Sequence, residues 1–143
     1  MFFENDPVLE KFVCILMVDG KKSTAKKIMQ RCGYFLEKNW NMEAKESFYL
    51  SIENAMPALE VCSVRKGGIV YQVPVPITPE RRLSLAIRWI IQNARKRKEN
   101  SIAEKLANEI MLVCNNQGPT IDKRNQMHCL VEANRAFAHL RWK

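Results

Sequence analysis

The sequence predicts a mainly α-helical chain of about six helices, with a two-stranded β-ribbon protruding between the third and fourth. Three observations predict it. Most of the chain repeats apolar residues at helical spacing. One segment, VCSVRKGGIVYQVPVPI, switches to β-branched and aromatic residues in alternation. At 143 residues and 47% apolar content, the chain is long enough to bury a core of its own. A single domain is expected over 1–143, with a helical body at 7–57 and 79–141 and the ribbon at 60–77.

Taken in order, Pro7 suits a helix start, and Val8, Leu9, Phe12, Val13, Ile15 and Leu16 make a short buried helix stopped by Asp19-Gly20. Lys21 and Lys22 occupy the turn. Ser23 or Thr24 is the expected cap of a second helix carrying Ala25, Ile28, Met29, Cys32, Phe35 and Leu36. Asn41 is the expected cap of a third, with Glu43 and Glu46 in its first turn, Phe48, Leu50, Ile52 and Met56 as its apolar surface, and Pro57 ending it.

Lys66-Gly67-Gly68 reads as a hairpin turn. Pro74 and Pro76 exclude the following strand from a sheet interior, so the ribbon has free edges and must pack on something larger. Tyr71, on the apolar side, is the expected anchor to the helices. After Pro79, Leu83, Ala86, Ile87, Ile90 and Ala94 form the core face of a fourth helix, with Trp89 partly buried beside it. Arg81, Arg88 and Arg95, seven apart, stack on another face. Ser101 and Glu104 form a capping box for a fifth helix. A last helix is expected from about Ile121 to Leu140, with Met127, Leu130, Val131, Asn134, Phe137 and Ala138 inward or nearly so.

Charge supplies the functional signal. Val61 to Lys98 holds Arg65, Lys66, Arg81, Arg82, Arg88, Arg95, Lys96, Arg97 and Lys98 against one acid, Glu80, while the remainder balances bases with acids. Cations on a ribbon tip, a helix start and a helix end suit the phosphates of a nucleic acid, whose neutralisation releases counterions and drives binding. Arginine adds a planar fork for phosphate oxygens. RNA is preferred over DNA: no short-turn recognition helix pair or dimer-forming heptad is evident, and scattered basic loops suit an uneven phosphate surface. The competing reading is an architectural DNA-binding protein that bends duplex with its basic ribbon.

Other classes are disfavoured. No GxSxG, HExxH or P-loop is present, and Gly67-Gly68 is explained by turn geometry. His128 and His139 are eleven apart, not at the i, i+4 spacing of a metal pair, so both read as structural or RNA-contacting. The five cysteines form no CxxC, and Cys14, Cys32 and Cys114 fall on apolar segments where a thiol is an ordinary core residue. Neither an enzyme, a cofactor, a metal nor a small-molecule substrate is expected. No apolar run nears the roughly 20 residues of a membrane helix. The start, MFFENDPVLEKFV, lacks a signal-peptide order. Trp142, beside Arg141 and Lys143, reads as either a stacking or a packing residue.

The segments LEKFVCILMVDGKKSTAKKI, PALEVCSVRKGGIVYQVPVPITPERRLSLAIRWIIQNARKRK, SIAEKLANEI and EANRAFAHLRW, in that order from about Leu9 to Trp142, closely resemble the bacterial-type seventh protein of the small ribosomal subunit. The most specific parts are GG-x-x-YQVP, the AIRW helix and NRAFAH-x-RW. The resemblance implies a helical domain with a β-ribbon that binds the 3′ major (head) domain of small-subunit rRNA and nucleates head assembly. It also implies neighbouring head and platform proteins as partners, and a ribbon near the exit-site tRNA and outgoing mRNA. Carried across, Lys21 and Lys22 fall in an RNA-contact loop. Arg81, Arg82, Arg95, Lys96 and Arg97 fall at basic helix ends, Lys123 and Arg124 at the start of the last helix, and Arg135 and Arg141 near its end. Arg65, Lys66, Gly67, Gly68 and Tyr71 match the ribbon.

The chain departs from that pattern at its acidic start, at its stop at Lys143, and at Cys62 and Val64, where the family is often basic. Contacts made through an arm and a tail are therefore expected to be reduced. Frequent Asn, Ile and Lys suggest an AT-rich organelle genome, with a mitochondrial ribosome preferred over a plastid or bacterial one.

Overall fold

A computed structural model describes residues 2–140; Arg141 and Trp142 lie outside the described residues. The element order is α1 (Pro7–Leu16), α2 (Lys22–Trp40), α3 (Ala44–Ala55), β1 (Leu59–Lys66), β2 (Ile69–Pro76), α4 (Pro79–Arg95), α5 (Ile102–Cys114), α6 (Pro119–Ala133) and a 3-10 helix (Arg135–Leu140). The expected mainly helical architecture, with a hairpin between the third and fourth helices, is what forms. None of these helices is long and apolar enough to cross a membrane.

Local chemistry sets the boundaries. Asp6 caps α1 by accepting the N–H groups of Val8 and Leu9, and Pro7 sits in the first turn, where its missing N–H costs nothing. The Tyr49 hydroxyl of α3 donates to Asp6 at 2.7 Å and Lys45 approaches at 3.3 Å, so one carboxylate caps α1 and ties it to α3. Burial pushes the Asp6 carboxyl up, but these donors outweigh it and hold the group below its ordinary range.

Ser23 and Thr24 do not cap α2: the helix already starts at Lys22, and the Lys21 carbonyl accepts the Ala25 N–H. Asn41 is not the N-cap of α3 either. It closes α2 in the left-handed conformation at φ 51°, and α3 begins after Glu43. Asn suits both places, because its short amide tolerates positive φ as well as capping.

Helix α5 packs against α2, α3 and α4, and its Leu106, Ala107 and Ile110 meet Met29, Leu36, Phe48, Ile52, Ile87 and Ile90 in one core. Phe12 and Phe48 meet edge-to-face at 5.1 Å. At the α2–α3 crossing Gly33 carries no Cβ because one there would stand 2.6 Å from the Phe2 ring and 3.1 Å from the Ala44 methyl. Trp89 is buried rather than half-exposed, Cys14 is exposed rather than a core residue, and Leu50 also faces out.

The two strands pair antiparallel from Leu59↔Pro76 to Lys66↔Ile69. Gly67 and Gly68 both have positive φ, the geometry of the two-residue turn that matches strand twist. The ribbon is not free-standing. β1 lies on α6 and β2 on the 3-10 helix, where Tyr71 meets the Phe137 ring at 5.3 Å. The expected last helix is split: α6 ends at Ala133, Asn134 follows, and the chain tightens to reach β2. Leu130, within α6, is 53% exposed and does not face inward.

Candidate nucleic-acid interface

The basic residues separate by geometry into a belt across three helices, a ribbon tip, and a set turned to structural use. The belt starts at the α1–α2 turn, where Asp19 and Gly20 take positive φ and present Lys21 and Lys22, both exposed. Arg95 reaches across from the end of α4 and donates to the Leu16 carbonyl at 3.3 Å, so the end of α4 and this turn share one end of the body. Along α4, Arg88, Gln92 and Arg95 lie at i, i+4 and i+7 and, with Ile15 and Ile91, line a cleft between α4 and α1. On the other side Lys123 of α6 donates to Gln92 at 3.3 Å and lies 5.6 Å from the centre of the Trp89 ring. Lys96 and Lys98, both exposed, extend the belt beyond α4.

The ribbon tip is the second basic site. Arg65 and Lys66, both exposed, lie between Val64 and Gly67, and a cleft at this end is lined by Lys66, Gly67, Tyr71, Phe137, His139 and Leu140. Arg135 stands in solvent near this end, its pairing with Glu132 so exposed that it contributes little stability.

Several residues expected to contact RNA also make bonds that hold the protein together. Arg97 donates to Glu99 and to the fully buried Glu109, whose other oxygen accepts from Thr120, which in turn accepts from Asn93. This knot joins the end of α4, the loop after it, α5 and the start of α6. Hydrogen bonds from Arg97, from the backbone N–H of Glu99 and from Asn108 pull the Glu99 carboxyl down to about 2. Arg81 pairs with Glu60 at 2.7 Å, tying α4 to the ribbon base.

Arg82 donates to the Pro57 carbonyl at 2.9 Å, Arg124 to the Asn54 carbonyl, and the Ala58 N–H donates to His128 Nε2 at 3.4 Å. Together these three side chains clamp the α3–β1 junction. Sequence reasoning weighed Arg82 and Arg124 as cations only. Their role as donors to carbonyls depends on tertiary contacts that no local signal gives. For His128, the contact with Ala58 is structural, one of the two roles its place in the sequence allows.

Residues 3–135 match the family described as Ribosomal protein S7p/S5e. The chain belongs to the ribosomal protein S7 family. Among its relatives, the small ribosomal subunit protein uS7A/uS7B of Cereibacter sphaeroides ATCC 17029 is 46% identical over 138 residues, covering 96% of this chain and 88% of the relative. The protein uS7 of C. sphaeroides KD131 matches to the same extent. The family match spans the belt from Lys21 to Lys123, both strands and Arg135.

Proposed function

We propose that this chain is a structural component of the small ribosomal subunit that works by binding and not by turnover. It holds the 3′ major (head) domain of small-subunit rRNA, nucleates folding of the head beside its neighbouring head and platform proteins, and sets its ribbon near the exit-site tRNA and the outgoing mRNA. The observation that carries this reading is the family match over residues 3–135. The belt supports it: Lys21, Lys22, Arg88, Arg95, Lys96 and Lys123 span three helices and leave cationic groups available to a folded phosphate surface. In this reading Arg81, Arg82, Arg97 and Arg124 set the shape of the surface, and Arg135 and the ribbon tip form its outer edge.

Competition binding tests it. The full chain prefers a transcript of the head-domain rRNA over duplex DNA at matched salt, and Arg95→Ala with Lys96→Ala lowers the log–log salt slope by roughly 1.4 to 1.8 units. Equal affinity for the two nucleic acids favours an architectural DNA-binding protein instead. The frequent Asn, Ile and Lys lead us to propose a mitochondrial ribosome as its location; the alternative is a plastid or a bacterial cytoplasm, and the two relatives named above, both bacterial, favour the bacterial one. Co-sedimentation with small subunits from isolated mitochondria is the check.

A further inference from the structure

We propose that the outward face of α2 is a second RNA-binding surface, taking phosphate backbone on Lys27, Arg31 and Lys38 and a stacked base on Tyr34. This rests on the rRNA-binding reading above and adds to it a surface outside the belt and the ribbon.

Helix α2 turns Ala25, Met29, Cys32, Gly33 and Leu36 into the core. On the opposite side, Lys27, Arg31, Tyr34 and Lys38 recur at i, i+4, i+7 and i+11, which at 3.6 residues per turn keeps them in one line. All four are exposed, and the line runs about 16 Å at 1.5 Å per residue. No acid interrupts it. Glu37 is the one acid of the helix and stands about a quarter-turn away. Among the described residues, none of the three cations lies in a salt bridge with a carboxylate.

Tyr34 is 58% exposed, with Lys38 Nζ 5.6 Å from its ring centre. An exposed aromatic ring already flanked by a cation is the combination that stacks an unpaired base while neutralising the phosphate beside it. The same helix starts at Lys22, just after the turn whose near side Arg95 holds through the Leu16 carbonyl, so RNA lying on the belt can continue along α2. Even charge over the remainder of the sequence hides this face, because the balancing acids lie on other elements. A membrane surface fits less well: the line holds no aliphatic residue to insert among lipid chains.

The test uses the full chain with a transcript of the head-domain rRNA, measuring affinity across a salt series and hydroxyl-radical footprints. The triple change Lys27→Gln, Arg31→Gln, Lys38→Gln lowers the salt slope by roughly 2 to 3 units and exposes nucleotides other than those exposed by Arg95→Gln with Lys96→Gln. Tyr34→Ala weakens binding by about 5- to 150-fold with the slope retained. Far-UV circular dichroism matching the wild type keeps misfolding out of the comparison. A triple variant with unchanged slope and footprint overturns the α2 surface while leaving the rRNA reading intact, provided the Arg95/Lys96 variant still loses slope. Loss of binding to phosphatidylglycerol vesicles in the triple variant, with rRNA binding unchanged, also overturns it. Wild-type protein that binds the transcript no better than duplex DNA defeats the parent reading instead.

Discussion

Arg97→Met takes from Glu109 the cation that pairs with it, leaving a fully buried carboxylate with a hydrogen bond from Thr120. Breaking one partner of a buried ion pair costs about 3 to 5 kcal/mol, because the surviving charge stays out of water. The Arg97–Glu109 contact is long, at 3.3 Å, and Thr120 remains, so the lower end applies: about 3 kcal/mol, or about 6 to 12 °C in Tm for a chain of this size. Adding Glu109→Gln removes the stranded charge and keeps an acceptor for Thr120. The double variant should therefore recover about half the loss, the rest being the ordinary cost of the missing hydrogen bonds. Urea denaturation at pH 7, followed by far-UV circular dichroism on all four members of the cycle, measures both numbers. A single-variant loss under about 1 kcal/mol, or a double variant no more stable than Arg97→Met, would refute the account of the knot.

Acid should weaken the fold through Glu99 and Asp6. Both carboxyls sit below their ordinary pKa, so their stabilisation is fully present above about 4.5 for Glu99 and is lost as pH falls toward about 2; Glu99→Gln should flatten that part of a stability–pH curve. Gly68→Val places a β-branched residue at φ 78° and should cost about 1 to 3 kcal/mol by urea denaturation, whereas Gly68→Asn should cost less. Phe137→Ala removes the ring against Tyr71, and hydrogen exchange should show β2 amides losing protection while those of α5 keep it. In the native protein a thiol reagent should label exposed Cys14 and Cys129 first. Cys32, which is buried and whose thiol burial pushes far up, should react after unfolding.

The helices and the ribbon were legible because their signals are local: apolar spacing, Pro7 and Pro79 at helix starts, and a Gly-Gly turn between alternating strands. The caps misread where one residue type serves two geometries, as Asn41 does, or where α2 starts one residue ahead of its polar candidates. The break after Ala133 follows from the ribbon's need for a partner, which the helical period of the last segment does not express. Among the expected site residues, Lys21, Lys22, Arg88, Arg95 and Lys96 are exposed because they sit at a turn, on an outward face or at a helix end. The inward turn of Arg97 had one readable clue, Glu109 lying three residues after Leu106 on the same apolar stripe. The cationic line on α2 was equally readable from its spacing, but net charge counted by segment conceals a face.

The clamp at the α3–β1 junction has a consequence for synthesis. Pro57 is gripped from 25 residues downstream, and Asn54 and Ala58 from 70 residues downstream. A nascent chain can close its hairpin turn early and gain a first grip from α4, yet the ribbon lacks its contacts with α6 until that helix has cleared the tunnel. The ribbon therefore takes its final bearing only after α6 has emerged.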